Sequence, residues 1–167
     1  MGLRQSSTEP PTLVSIIART GAATKLSDFN DAKARVIVFL GTQCPVGNAY
    51  VPVLNDLQQR YRDQGVQVIG VNANLSDSAE KIAAHVKEFE VQFPVLVDAK
   101  QVVADLFGAG RTPEAFLLDR RGVIHYYGRI DDRIGYDHKR VEPRRADLEE
   151  AIQELLAGKE VSVRHVE

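Results

Sequence analysis

One thiol stands where chemistry could be done. The stretch FLGTQCPVGNAY, residues 39–50, holds the only cysteine of the chain, Cys44, directly after an apolar run and directly before a proline. A lone thiol forms no internal disulfide and no cysteine-rich zinc site. Three roles remain open: nucleophile, metal ligand, or small buried residue. Its setting favours the first. The run ARVIVFL before it is continuous, β-branched and of strand length, which reads as a strand buried on both faces. After it, Val46, Tyr50, Val53, Leu54, Leu57 and Tyr61 recur at steps of three and four, which predicts an amphipathic helix. Pro45 suits the first turn of that helix, and Pro52 inside it predicts a kink. Cys44 is thus expected at the carboxyl edge of a sheet, facing free helix N–H groups. Those groups and the positive end of the helix favour thiolate over thiol. Val46 and Gly47 supply the N–H groups, with Thr42 or Gln43 expected to hydrogen-bond near the sulfur.

The elements that must position this thiol follow from the rest of the chain. QGVQVIGVNAN predicts a glycine stop and a second buried strand, and FPVLVDA a short third one. SDSAEKIAAHVKEF predicts a helix capped by Ser76 or Ser78, with Ile82, Val86 and Phe89 on its inner face. QVVADLFGAG is a short helix ending in glycine. EAFLLDRRGVIHYYGRI reads as two strands joined at Arg120–Gly122. DDRIGYDHKRVEPRR has no periodicity and reads as a long loop, with EPRR a solvated helix start. RRADLEEAIQELLAG is the last helix. LVSIIART predicts a strand ahead of all of these. The order implies an α/β fold with a mixed sheet and helices on both faces. Residues 1–12, polar with a Pro-Pro pair, form a leader, and 13–167 a single domain.

At this point the sequence resembles a known family. It is similar to thioredoxin-fold redoxins, in the branch of the alkyl hydroperoxide reductase/thiol-specific antioxidant domains and the TlpA/ResA-like thiol–disulfide oxidoreductases. In that family a strand leads into C-x-x-C at a helix start. Here the tetrapeptide is CPVG, so Cys44 matches the attacking cysteine and Gly47 replaces the resolving one. Pro52 stands eight residues after Cys44, as the helix proline of thioredoxins does. RTPEAFLLD matches the cis-proline signature, with Pro113 as the cis residue and Thr112 before it. The resemblance implies a thioredoxin-like fold and a docking edge at Thr112 and Pro113. Arg111, Asn74 and Asp131 are outer candidates around the same site.

The departures from the family bear on the reaction. Val38 stands where thioredoxins carry a buried acid, and NANL where ResA-like proteins carry a glutamate. Peroxiredoxins place Thr or Ser three residues before their cysteine. Here Thr42 is two before and residue 41 is glycine. Arg111 is out of register with the peroxiredoxin arginine. The activity implied is thiol–disulfide exchange by Cys44 with a protein disulfide or a small thiol or disulfide. Release then needs an external reductant: glutathione, another protein, or a segment past Glu167. The alternatives are a one-cysteine peroxidase, in which Cys44 cycles through a sulfenic acid, and a non-catalytic binding domain that keeps the groove.

Composition narrows the field. The 167 residues are 44% hydrophobic and 26% charged, with a net charge of -2. That balance excludes a disordered chain and offers no basic footprint for nucleic acid. No apolar run reaches membrane-span length. The polar start lacks the apolar centre of a signal peptide, which predicts a cytosolic chain or a mature or excised form. The resemblance instead implies the bacterial periplasm or another extracytoplasmic space. No cofactor is expected, and no metal: a copper site of the Cys–His kind needs a second cysteine. His85 is expected at a helix surface or boundary, His125 on one sheet face, and His138 in the loop. Asp131 and Asp132 are read as loop anchors, with a place near the site as the alternative.

Overall fold

The structure is a computed structural model that describes residues 25–135 and 137–167 and the backbone of Ile16 and Ile17. The leader expected at residues 1–12 lies outside the described residues. Seven strands form one sheet: β1 (Ile16–Ile17), β2 (Ala34–Phe39), β3 (Val66–Asn72), β4 (Val95–Val97), β5 (Glu114–Asp119), β6 (Ile124–Gly128) and β7 (His165–Val166). Their spatial order is β1-β4-β3-β2-β5-β6-β7. β2 lies in the middle, parallel to β3 and antiparallel to β5. Among the described residues, four α-helices accompany them: α1 (Pro45–Tyr61), α2 (Ala79–Glu88), α3 (Val102–Phe107) and α4 (Asp147–Leu156). This is an α/β thioredoxin-like fold with a mixed sheet. KLSDF, ahead of β2, contributes a single 3-10 turn at Leu26–Phe29.

Alternation along β2 divides the core. Val36 and Val38 point to the face covered by α1, α2 and α4, where they meet Leu54, Ile82 and Ile152. Ile37 and Phe39 point to the other face, where they meet Val103 of α3 and Leu26. All six β2 residues are buried, so the strand carries apolar side chains in both directions. Each fully buried aliphatic side chain contributes about 1.5–3 kcal/mol. That makes β2 the rigid base from which residues 40–44 emerge.

The helices run close to their expected spans. Within α1, Tyr50, Val51, Leu54, Leu57 and Tyr61 are buried, whereas Val46 is exposed. Val46 sits in the first turn, beyond the sheet edge, so it has no core to enter. Ser78, not Ser76, caps α2, accepting from the Lys81 N–H. His85 departs from expectation: it is buried, turned toward α1, packed at a tilt against Phe89, and 2.6 Å from Asn48 Oδ1. A polar partner on the neighbouring helix makes that burial tolerable. EPRR is not a helix start either. α4 begins at Asp147, while the Arg144 and Arg145 N–H groups donate to Asp132 Oδ1 and close the preceding loop. No helix among the described residues is long and apolar enough to cross a membrane.

Candidate active site

Cys44 is the N-cap of α1. Its extended backbone (φ −81°, ψ 107°) turns Sγ back over the first turn, where the Gly47 N–H donates to it at 3.3 Å. This is the place a Ser or Asp side chain takes in an ordinary helix cap. Pro45 occupies the first helical position, where a missing N–H costs nothing. Among the described residues, only the Gly47 N–H donates to the sulfur; the Val46 N–H does not. Gly47 is buried, and a Cβ placed there would lie 3.5 Å from Cys44 Sγ and 3.6 Å from Leu40, at ordinary contact.

The second wall comes from the loop before β5. The Thr112–Pro113 bond is cis, as the resemblance implies. The Cys44 thiol donates to the Thr112 carbonyl at 3.2 Å. β5 lies beside β2 and runs antiparallel to it, which is why a residue 68 positions away meets the end of β2. Cys44 is half-buried, between the closed core and the open face.

A polar network holds the turn that presents the thiol. The Thr42 N–H donates to Asp77 Oδ2 at 2.9 Å, and its hydroxyl donates to Asp77 Oδ1 at 2.7 Å. The Asn72 amide adds a third bond to Asp77, at 2.9 Å. On the other side, Asn48 Nδ2 donates to the Thr42 carbonyl at 3.2 Å, and its Oδ1 faces His85 Nε2. Because that oxygen can only accept, His85 Nε2 carries the proton. Burial lowers the affinity of His85 for a second proton, against the opposing pull of Glu88 and Asp77. Burial alone would push the Asp77 carboxyl up, but the bonds from Asn72 and Thr42 together hold it below the usual carboxylate range.

Thr42 therefore serves the loop and not the sulfur, in contrast to the role expected for it. The Gln43 side chain is exposed and makes no hydrogen bond among the described residues. The sequence does not single out Asp77, Asn72 or Asn48, and His85 reads there only as a surface or boundary residue. The NAN run and the Asp77-x-x-x position near a helix cap were the available signals, but polar residues after a strand usually serve turns.

A cleft of about 370 Å³ opens beside the thiol. Gly41, Gln43, Cys44, Asn74, Gln101, Arg111 and Thr112 line it, with Phe39 and Leu40 at its base. Of the outer candidates, Arg111 and Asn74 share this cleft with Cys44. Asp131 does not. It is buried under α1, where the Tyr50 hydroxyl donates to its Oδ1 at 2.6 Å, and it lines a separate groove with Pro52 and Arg60. Hydrogen bonding to Asp131 and burial make Tyr50 far harder to ionise than an ordinary tyrosine, burial being the larger cause. Among the described residues, no group of three or more His, Cys, Asp or Glu side chains converges as a metal site would.

A helix-capping cysteine facing a cis-proline edge, at the end of the central strand of this sheet, is the arrangement of thioredoxin-like proteins. The chain belongs to the AhpC/TSA family, whose model matches residues 12–127. It is 30% identical over 102 residues to the thiol-disulfide oxidoreductase ResA of Bacillus thuringiensis (strain Al Hakam). That match covers 60% of this chain and 58% of ResA, so the chain spans well under two thirds of the relative's length. Among solved structures, it resembles a hypothetical protein from Sinorhizobium meliloti 1021, with 31% identity and a TM-score of 0.77. There 95% of this chain and 93% of that chain are covered. A putative thiol:disulfide interchange protein DsbE from Chlorobium tepidum matches with 26% identity and a TM-score of 0.66, over 88% of this chain and 92% of that one.

Proposed function

We propose that this protein exchanges disulfides through Cys44, forming a mixed disulfide that an outside thiol must resolve. The observation that carries the reading is the double engagement of one sulfur: Sγ accepts from Gly47 N–H and meets the Thr112 carbonyl beside the cis bond. The first contact holds the sulfur at the N-terminus of α1, where an attacking nucleophile is presented. The second sets the sulfur against an exposed backbone edge where a disulfide can approach. In the exchange, Cys44 Sγ bonds one substrate sulfur, the substrate S–S bond breaks, and the departing sulfur leaves as thiolate.

Gly47 occupies the position of the second cysteine, and Cys44 is the only cysteine in the 167 residues. Resolution therefore falls to a thiol outside these 167 residues: a small thiol, another protein, or a segment past Glu167. The ResA and DsbE likenesses support thiol–disulfide chemistry as the general activity. An extracytoplasmic location and a single domain over residues 13–167 belong to the same reading. The peroxidase alternative has less support, because the Thr42 hydroxyl is engaged by Asp77 rather than aimed at the sulfur.

The test is mixed-disulfide formation with hydroxyethyl disulfide, followed by intact mass. The reduced protein should gain one mercaptoethanol adduct, lose it to added thiol, and do neither as Cys44→Ser. Failure to form the adduct while peroxide is consumed would favour the peroxidase reading. Neither reaction would leave a binding domain.

A further inference from the structure

We propose that the cleft beside Cys44 selects small disulfides that carry a carboxylate, with Arg111 reading the charge and Asn74 supplying a neutral donor. The inference rests on the exchange chemistry proposed above and names the substrate class.

The topology brings the parts together. β3 and β5 flank β2, so Asn74, just past β3, and Arg111, just before β5, stand on either side of the segment leading to Cys44. Gly41 lies between them. A Cβ built on it would come to 3.9 Å from Asn74 Nδ2 and 4.0 Å from both Cys44 Cβ and Thr112 Oγ1. A residue without a side chain at that point leaves the floor of the cleft open. At about 370 Å³ the opening is large enough for a compact molecule beside the sulfur.

Charge decides which molecule. Among the described residues, Arg111 is the only Lys, Arg, Asp or Glu that lines the cleft. It is exposed and makes no ion pair or hydrogen bond through its side chain among the described residues. The nearby acids Asp77, Asp98 and Glu114 are buried and do not line the cleft. Asp77 is held by Thr42 and Asn72, Glu114 accepts from the Gly110 N–H at 3.0 Å, and Asp98 accepts from the Val103 and Ala104 N–H groups. Asn74 uses its Oδ1 to accept from the Ser76 N–H, which leaves its Nδ2 free to donate. A cation and a neutral donor without a competing carboxylate attract an anionic ligand and repel a cationic one. In the reaction, Cys44 Sγ bonds the near sulfur of R–S–S–R and the other half leaves as RS⁻, which takes a proton from water. Cys44 is oxidised to the mixed disulfide and the released half is reduced. A second thiol of the same class, R′SH, attacks the bound sulfur, leaves as the disulfide R–S–S–R′, and its proton returns to Cys44 through water.

Three disulfides of similar size test this: dithiodipropionate (anionic), hydroxyethyl disulfide (neutral) and cystamine (cationic). Adduct formation is followed by intact mass at low salt, and each rate is divided by that disulfide's rate with mercaptoethanol. The anionic compound should lead the neutral one by about threefold to tenfold, the advantage shrinking at high salt. Arg111→Gln should bring the ratio to about one and Arg111→Lys should recover part of it. Asn74→Asp, which keeps the acceptor for Ser76, should favour cystamine. Arg164→Gln, at an exposed position away from the cleft, should keep the wild-type ratio. Equal normalised rates, a lead for cystamine, or an unchanged ratio in Arg111→Gln would overturn the substrate class while leaving the exchange chemistry in place. No adduct with any disulfide would overturn both.

Discussion

Thr42 grips Asp77 with two bonds, its hydroxyl at 2.7 Å to one carboxylate oxygen and its N–H at 2.9 Å to the other. The carboxylate thereby fixes the turn that ends at the nucleophile, and it is itself buried. Asp77→Ala would strand three donors: the two of Thr42 and the Asn72 amide. We expect it to cost about 2–3 kcal/mol in urea unfolding and to slow adduct formation at Cys44. Asp77→Asn should fall between, since an amide oxygen still accepts from one side.

Asp77 also makes an acid limb. Its folded carboxyl ionises at lower pH than in the unfolded chain. Its contribution is therefore complete above the unfolded value, near pH 4, and is lost as pH falls through the lower folded value. Denaturant midpoints of Asp77→Asn should be flatter than wild type below about pH 4. An unchanged limb would show that the carboxylate bonds add nothing to stability.

His85 has the same sign by another route. Burial lowers its folded proton affinity, so the unfolded state binds more protons as pH falls below about 6.5. Stability should decline between about pH 7 and 5. His85→Gln offers an N–H donor to Asn48 and does not titrate. It should flatten that slope, as read by urea midpoints at each pH.

The space at Gly47 permits a direct check on the missing thiol. A Cβ fits there at ordinary contact, 3.5 Å from Cys44 Sγ. Gly47→Ala should stabilise the helix by up to about 1 kcal/mol with Cys44 still reactive. Gly47→Cys should close an internal disulfide on oxidation. Mass spectrometry should then show the loss of two hydrogens, and retention of both would mean that residue 47 is not the resolving position.

Tyr50 ties the long loop to α1. Its hydroxyl donates to Asp131 Oδ1 at 2.6 Å and accepts from the Ile134 N–H at 3.3 Å. Tyr50→Phe leaves the ring packed but strands those groups. It should cost about 1–3 kcal/mol and speed proteolysis within residues 131–145. A neutral result would assign the loop's order to Arg129 and Asp147 instead.

Much of the fold was legible because its signals are periodic. The apolar run Val36–Phe39 of β2, the three-and-four spacing of α1 and the glycine after α3 each reflect burial or backbone geometry near in sequence. The thiol and its cis-proline edge were legible through register with a family motif. What escaped was the network behind them. Thr42 looked like a partner for the sulfur, and His85 like a surface residue, because both engage residues more than 30 positions away across the sheet edge and the helix pair. Nothing local distinguishes such polar groups from those that face water. Asp131 is the expected loop anchor, accepting from the Arg133 N–H and the Tyr50 hydroxyl; only the alternative place beside the thiol fails, because Tyr50 reads as core and tertiary packing alone shows where its hydroxyl goes.

The atom that starts α1 is also the atom that the proposed exchange would consume. As a free thiol or thiolate, Sγ receives the Gly47 N–H; as half of an S–S bond, it is a weaker and uncharged acceptor. The helix thus carries its own indicator. The Gly47 amide resonance, and its rate of exchange with deuterium, should move whenever Cys44 is modified. Occupancy of the mixed disulfide could then be followed at equilibrium without a label, a chromophore or any added redox dye.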